Sequence, residues 1–271
     1  MNIGNIIKDG VKKVINHNKL RALLWSVLFE YRQKNNGYEH LLVSCFPKSG
    51  STFTVQTISN ITKYKEVFLA YSGEFNEQNI DLPKVLRCCE INTVTQQHLP
   101  ATHSNINIIN EFQLKNIVLV RNVFDVCLSI YDHWHHESIE GPACYVNEQF
   151  FELSELKKLD FIIDLVVPWY MKFYTSWYDA HLKNTSKFLF FTYEEILENE
   201  LLFFKKIFKE WGLEYSDEDI NKGILESKGQ NNRLNKGVAG RGAVLSGEQK
   251  ERINKLAAYY PWCDFSLIGI V

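Results

Sequence analysis

Three short apolar runs stand out along the chain, each followed by a stretch whose apolar residues recur at helical spacing. The first, 41–46, reads Leu-Leu-Val-Ser-Cys-Phe between His40 and Pro47, which suits a strand buried on both faces of a parallel sheet. Residues 52–62 then carry Phe53, Val55, Ile58 and Ile61, a spacing that predicts a helix with one buried face. The second run, 116–120, ends at Arg121-Asn122 and leads into a helix over 125–134 with Val126, Leu128, Ile130 and Tyr131. The third, 187–191, precedes Thr192-Tyr193-Glu194-Glu195 and a helix through residue 208. A further aromatic-rich helix spans 161–181, in which Pro168 predicts a kink or restart. Buried strands alternating with helices predict an α/β fold with a central parallel β-sheet flanked by helices.

The ends of this pattern differ in character. Residues 1–39 form a leading helical segment. Its first part carries Ile3, Ile6, Ile7, Val11, Val14 and Ile15 at helical spacing, with Lys8, Lys12 and Lys13 between them. That pattern fits a helix packed on its own domain, or one that touches a membrane surface peripherally; the former is preferred. From 223 to 247 the composition shifts to Gly, Asn, Lys and Arg, and a long basic loop of the kind that covers a ligand is expected. With 271 residues and neither repeat nor linker, one domain over 1–271 is the expectation.

Composition narrows the partners. Thirty Lys and Arg stand against 32 Asp and Glu, so no global field draws the chain to nucleic acid, and any anion site must be local. The six cysteines show neither CxxC nor zinc-like spacing and read as reduced thiols in a cytoplasmic protein. The apolar stretch 22–29 is far short of the roughly 20 residues a bilayer needs, and no transmembrane segment is expected.

The candidate chemistry begins at residues 47–53, Pro-Lys-Ser-Gly-Ser-Thr-Phe. Gly50 permits a tight strand-to-helix turn, and the amides beyond it carry the positive end of the helix dipole toward an anion. Ser49, Ser51 and Thr52 offer hydroxyls, and Lys48 a mobile charge. The order is not that of a Walker A loop, in which the Lys follows the second Gly. Arg121, at the end of the second strand, suits a bidentate phosphate contact. Ser129, eight residues on, falls on the same side of the following helix. Ligands of open α/β sheets bind beyond the carboxyl ends of the strands, where both motifs lie.

Together these motifs resemble the cytosolic-type sulfotransferases that use 3′-phosphoadenosine-5′-phosphosulfate (PAPS). Residues 47–53 are similar to the family's PKSGTTW, and 119–133 to its VVRNPxDVxVSxYxH. Tyr193-Glu194-Glu195 looks like the YED whose Tyr reaches the adenine, and 235–240 like the RKGxxG segment that closes over the cofactor. The resemblance covers about residues 41–253 and implies a P-loop-like three-layer fold. It also implies PAPS as donor, adenosine 3′,5′-bisphosphate as product and no metal. Carried over, Lys48 steadies the leaving group. Lys48, Ser49, Gly50, Ser51, Thr52 and Phe53 hold the 5′ end, while Arg121, Ser129 and Tyr193 hold the rest, with Ser129 also close to the transfer step. Phe53 replaces the family Trp, Val123 its Pro, and Asn235 the Arg of RKG. The corresponding phosphate contact is therefore expected from Arg233, Lys236 or Arg241, with Gly237 also among the cofactor-binding residues. No K-TVxxxE pairing segment is recognisable, so the oligomeric state stays open.

The resemblance also implies a His base in a K-T-H-L-P segment, for which two residues compete. Thr102-His103 matches T-H, and His98-Leu99-Pro100 matches H-L-P; they precede Arg121 by 18 and 23 residues. Residues 99–102 look like a short strand leading into His103, which favours His103, with His98 as the alternative. His133, His135 and His136 do not share one helix face and are read as an acceptor-pocket rim or aromatic packing rather than a metal site. The acceptor implied is a hydroxyl (or amine) on a small molecule, lipid-like molecule or glycan, with amphipathic alcohols or phenols favoured by the aromatic content. A P-loop nucleotide kinase and a non-catalytic nucleotide-binding protein on the same fold are the competing readings.

Overall fold

The computed structural model describes residues 37–72, 77–230 and 238–271, with five positions of a helix before them, Leu20, Leu23, Leu24, Val27 and Glu30. The amphipathic stretch 1–15 and Arg233, Asn235, Lys236 and Gly237 lie outside the described residues. Five strands form one sheet: β1 His40–Cys45, β2 Lys65–Glu66, β3 Thr93–Gln97, β4 Lys115–Val120 and β5 Phe190–Thr192. Their order is β2-β3-β1-β4-β5 and every pair is parallel. All the carboxyl ends therefore meet at one edge, and β1 lies between β3 and β4, where the winding of the chain reverses.

Alternation along the strands divides the interior into two layers. Leu42, Val118 and Val120 face one cluster, and Leu41, Val43, Cys45, Ile117 and Leu119 face the other. The first layer is covered by α3 (His103–Glu111), α4 (Val123–His136), α5 (Glu155–Leu165), α6 (Val167–Leu182) and α10 (Gly247–Ala257). The second is covered by α1 (Ser51–Thr62), α8 (Glu200–Trp211) and α9 (Asp217–Lys228). Two short helices stand beside these, α2 (Leu82–Arg87) before β3 and α7 (Tyr193–Glu198) after β5. The predicted α/β architecture is thus present. Pro168 marks a restart, because α5 stops at Leu165 and α6 begins at Val167. No helix among the described residues is long and apolar enough to cross a membrane.

Four local expectations are corrected. Residues 99–102 are not a strand: the strand is Thr93–Gln97, and Thr102 instead caps α3, its Oγ1 accepting from the Asn105 amide. β3 escaped notice because it is half polar. Thr93 is buried against His40 Nδ1 at 2.8 Å and Gln97 donates to the Asn79 carbonyl at 2.7 Å, so distant partners satisfy what a local reading counts as exposed. The third strand runs 190–192 rather than 187–191, with Thr192 closing a capping box on α7. The helix expected through residue 208 breaks at Asn199, which caps α8. Finally, residues 223–228 belong to α9 rather than to a loop. Gly223 sits where a Cβ would come within 2.3 Å of Ile61 Cγ1, so this glycine serves close helix packing, not chain freedom.

Candidate active site

Four strand ends deliver the residues that surround a cavity of about 610 Å³. After β1 the chain turns through two left-handed residues, Lys48 (φ 65°) and Gly50 (φ 81°). A side chain at Gly50 would be strained, and its Cβ would lie 2.9 Å from the Tyr193 ring. Helix α1 then starts without a side-chain cap, leaving its first amides unused. Gly50, Ser51 and Thr52 line the cavity beside Lys48. The Tyr170 hydroxyl, from the buried first turn of α6, donates to the Pro47 carbonyl at 3.1 Å and braces the turn.

Two members of the turn lie elsewhere. The Ser49 hydroxyl is fully buried and donates to the Phe46 carbonyl at 2.8 Å, so it shapes the turn and does not line the cavity. Phe53 is 1% exposed and packs edge-on to Phe204 in the second core layer. It faces away because α1 lays its 53/55/58/61 side on that layer.

Arg121 follows β4 and is 5% exposed. Its guanidinium donates to the carbonyls of Lys48 (3.0 Å) and Val238 (3.2 Å) and lies 4.1 Å from the Tyr193 ring centroid. Burial lowers its pKa from the ordinary value, opposed by Tyr193, Asp125 and Glu194. Its Nε is buried with no partner among the described residues. Ser129, buried two turns along α4, lines the same cavity.

The described end of the 223–247 segment is clamped onto α4. Asp125 accepts from the amides of Gly240 and Gly242, each at 2.7 Å. A Cβ on Gly242 would meet Phe124 Cβ at 2.3 Å. Arg241, which lines the cavity, pairs with Asp132 at 2.7 Å. Asp125 lies within the motif around Arg121, but nothing local to it marks it as the anchor of this segment.

Lys48 reaches a small ionic cluster: its Nζ lies 3.3 Å from Glu137 Oε1 and 3.5 Å from His133 Nδ1. Burial works against ionisation of Glu137, but Lys48 and His133 outweigh it and hold the carboxyl below the usual carboxylate range. His133 and Trp134 line the cavity, which matches the pocket-rim reading for this part of the cluster. His135 stacks on Tyr131 and His136 is exposed. No group of residues fit to hold a metal occurs among the described residues.

The two candidate bases are separated by the fold. His98 follows β3 directly and lines the cavity. Its Nδ1 lies 3.1 Å from the Cys45 carbonyl, and its Nε2 lies 3.4 Å from Glu77 Oε2. Burial lowers the pKa of the ring, while Glu77 and the Cys45 carbonyl act in the opposite direction. His103 is exposed at the start of α3, its Nε2 paired with Asn107 of the same helix, and it does not line the cavity.

Comparison with known proteins gives two findings and one blank. Residues 38–242 match the family model for the sulfotransferase domain. Mouse sulfotransferase SULT7A1 complexed with PAP superposes with a TM-score of 0.57 at 18% identity, covering 85% of this chain and 88% of that one. Retinol dehydratase in complex with androsterone and inactive cofactor PAP gives 0.56 at 18% identity, covering 81% and 80%. At such identity these likenesses speak to the fold alone. Comparison with curated protein sequences yields no match. The family model spans most of the chain, and the turn after β1 and the Arg121 motif fall inside it, so this protein belongs to the sulfotransferase domain family, whose enzymes move sulfuryl groups.

Proposed function

We propose that this protein transfers the sulfuryl group of PAPS to a hydroxyl (or amine) of a small, largely apolar acceptor, with His98 as the base. The observation that carries the reading is convergence. An uncapped helix N-terminus with Lys48, the buried Arg121 with an unused Nε, and a half-buried imidazole all face one cavity. The first two fit a doubly phosphorylated nucleotide: the orphaned Nε and the free amides are donors that a phosphate would satisfy.

In this scheme the α1 amides, Ser51 and Thr52 hold the 5′ end, and Lys48 leaves Glu137 to neutralise charge on the leaving oxygen. Arg121 and Ser129 hold the 3′-phosphate, with Arg241 above them and Tyr193 against the adenine. Arg233, Lys236 and Gly237 are assigned to the same closure by the resemblance alone. The donor supplies a sulfur whose bond to the 5′-phosphate oxygen breaks as the acceptor oxygen bonds to it. His98 Nε2 takes the acceptor proton. With His98 as base, the family's K-T positions fall on Gln96 and Gln97, so a neutral amide stands where the family has a cation.

Phe68, Trp134 and Val166 line the cavity and support an apolar alcohol or phenol as acceptor. Retinol dehydratase, solved with androsterone and with retinol, is a neighbour of this fold whose ligands are of that kind. A cytoplasmic setting belongs to the same reading, and none of the six cysteines forms a disulfide. Thermal-shift measurement tests the donor. Adenosine 3′,5′-bisphosphate is expected to stabilise the protein and ATP with magnesium to do little; stabilisation by ATP with magnesium alone overturns the proposal in favour of a kinase. Transfer of label from PAPS to an acceptor panel separates an enzyme from a silent binder.

A further inference from the structure

Cys45 and Glu77 together determine the state of the His98 ring. A carbonyl only accepts, so the Cys45 oxygen at 3.1 Å requires hydrogen on Nδ1. In the neutral ring the lone pair is then on Nε2, which faces Glu77 Oε2 at 3.4 Å. A lone pair and a carboxylate at that distance repel; an imidazolium and a carboxylate attract. Both side chains are largely shielded, 19% and 23% exposed, so the interaction is weakly screened.

We infer that Glu77 is a positioning residue for the transfer step, a cavity-lining carboxylate beside Nε2 that stabilises the imidazolium formed when His98 accepts the acceptor's proton. This rests on the reading of His98 as base. The fold supplies the reason for such a partner. The family's cation before the base is Gln96 here, whose Nε2 lies 3.4 Å from Thr52 Oγ1, so no lysine on β3 opposes a negative charge at this point. Glu77 approaches from the segment before α2, on the far side of the ring from β1.

The other groups facing His98 do not replace it. From β1 comes the Cys45 thiol, 3.5 Å from Nδ1, which burial pushes up to about 12 and so keeps neutral. Lys48, Arg121, His133 and Arg241 line the same cavity from the β1 turn, the end of β4, α4 and the 238–244 segment, and none of them is an anion that could take the place of Glu77. Glu140 lines it from the loop after α4. Glu77 is the carboxylate at contact distance from the ring. Burial drives the His98 pKa down, and Glu77 raises it again, so loss of the carboxylate lowers it.

The test is Glu77→Gln, read in two independent ways. NMR titration of the imidazole signals, with His98 assigned by its loss in His98→Gln, is expected to show the His98 pKa lowered by about one unit, the scale of a close opposite charge. Activity is expected to show the acidic limb of kcat/KM moved to lower pH by a similar amount. The plateau is expected to fall about tenfold, because a weaker base with no counter-charge is left. Glu77→Asp keeps the charge and is expected to hold the titration near that of the parent. In a His98→Gln background Glu77→Gln is expected to cost nothing further. An unmoved His98 titration, or a drop in rate with the pH profile unshifted, overturns the role of Glu77 while leaving the sulfotransferase reading intact. A parent protein that binds adenosine 3′,5′-bisphosphate but transfers no sulfuryl group overturns the proposed function, and the titration still reports on the pair.

Discussion

The turn between β1 and α1 and the segment beyond β3 stand side by side at the same sheet edge, yet they are encoded differently. In the turn, the conformation is written largely in consecutive residues: Lys48 and Gly50 take left-handed conformations and α1 starts uncapped, while Tyr170 and Arg121 brace the result through backbone carbonyls. Beyond β3, His98 gains its orientation from Cys45 on one neighbour and Glu77 on another, 53 and 21 residues away in the sequence. Local backbone chemistry builds an anion site, because amides and a dipole come with any helix start. A base must be built from several segments, because its protonation state depends on what surrounds it.

Substitutions can test this division between a donor side and an acceptor side. The largest effect is expected from His98→Ala: turnover falls about 10²–10⁴-fold, the usual weight of a general base. Binding of adenosine 3′,5′-bisphosphate, measured by calorimetry, is expected to be nearly unchanged. His103→Ala serves as the contrast, with turnover within about twofold of the parent, in keeping with its exposed place on α3; a reversal of these two results returns the base to His103. Next, Lys48→Ala is expected to lower kcat by about 10²–10³-fold, as for loss of one preorganised charge-stabilising donor.

Arg121→Ala tests the opposite end. It removes a buried, cavity-lining cation whose Nε has no partner among the described residues, and nucleotide affinity is expected to fall about 10–100-fold, the range for hydrogen bonds to a charged group. Equilibrium dialysis would show it; an affinity equal to the parent's would move the 3′-phosphate elsewhere. The smallest effect concerns Glu137→Gln. Its ion pair with Lys48, with side chains 13% and 31% exposed, would in the proposed scheme compete with the nucleotide for the ammonium. Partly exposed pairs of this kind contribute about 1 kcal/mol or less, so nucleotide binding is expected to tighten by less than about fivefold.

Much of the donor side was legible from the residues alone. The strand-turn-helix at 41–62 and Arg121 at a strand end were read from periodicity and glycine placement, and both lie where expected. The turn's hydroxyls were read too generously, because Ser49 and Ser51 look alike in sequence while the Ser49 hydroxyl is spent on the Phe46 carbonyl. Asp125 sat within a motif already singled out, but its role as a clamp on Gly240 and Gly242 depends on a segment more than a hundred residues away. On the acceptor side the reading erred over residues 99–102. β3 is rich in Thr and Gln, whose burial is made tolerable by His40 and Asn79, and neither partner is implied by local pattern.

By itself the sequence determined the elements whose signal is local: the apolar strands, the helix faces, the left-handed turn and the cation at the end of β4. It also determined the family, through residues 38–242. The tertiary structure decided which histidine reaches the cavity, which hydroxyls line it, and which carboxylates face Lys48 and His98. The reason is physical. Periodicity reports how each residue meets water along its own element, whereas reactivity follows from the groups other elements bring within a few ångströms, where burial and charge are felt most strongly.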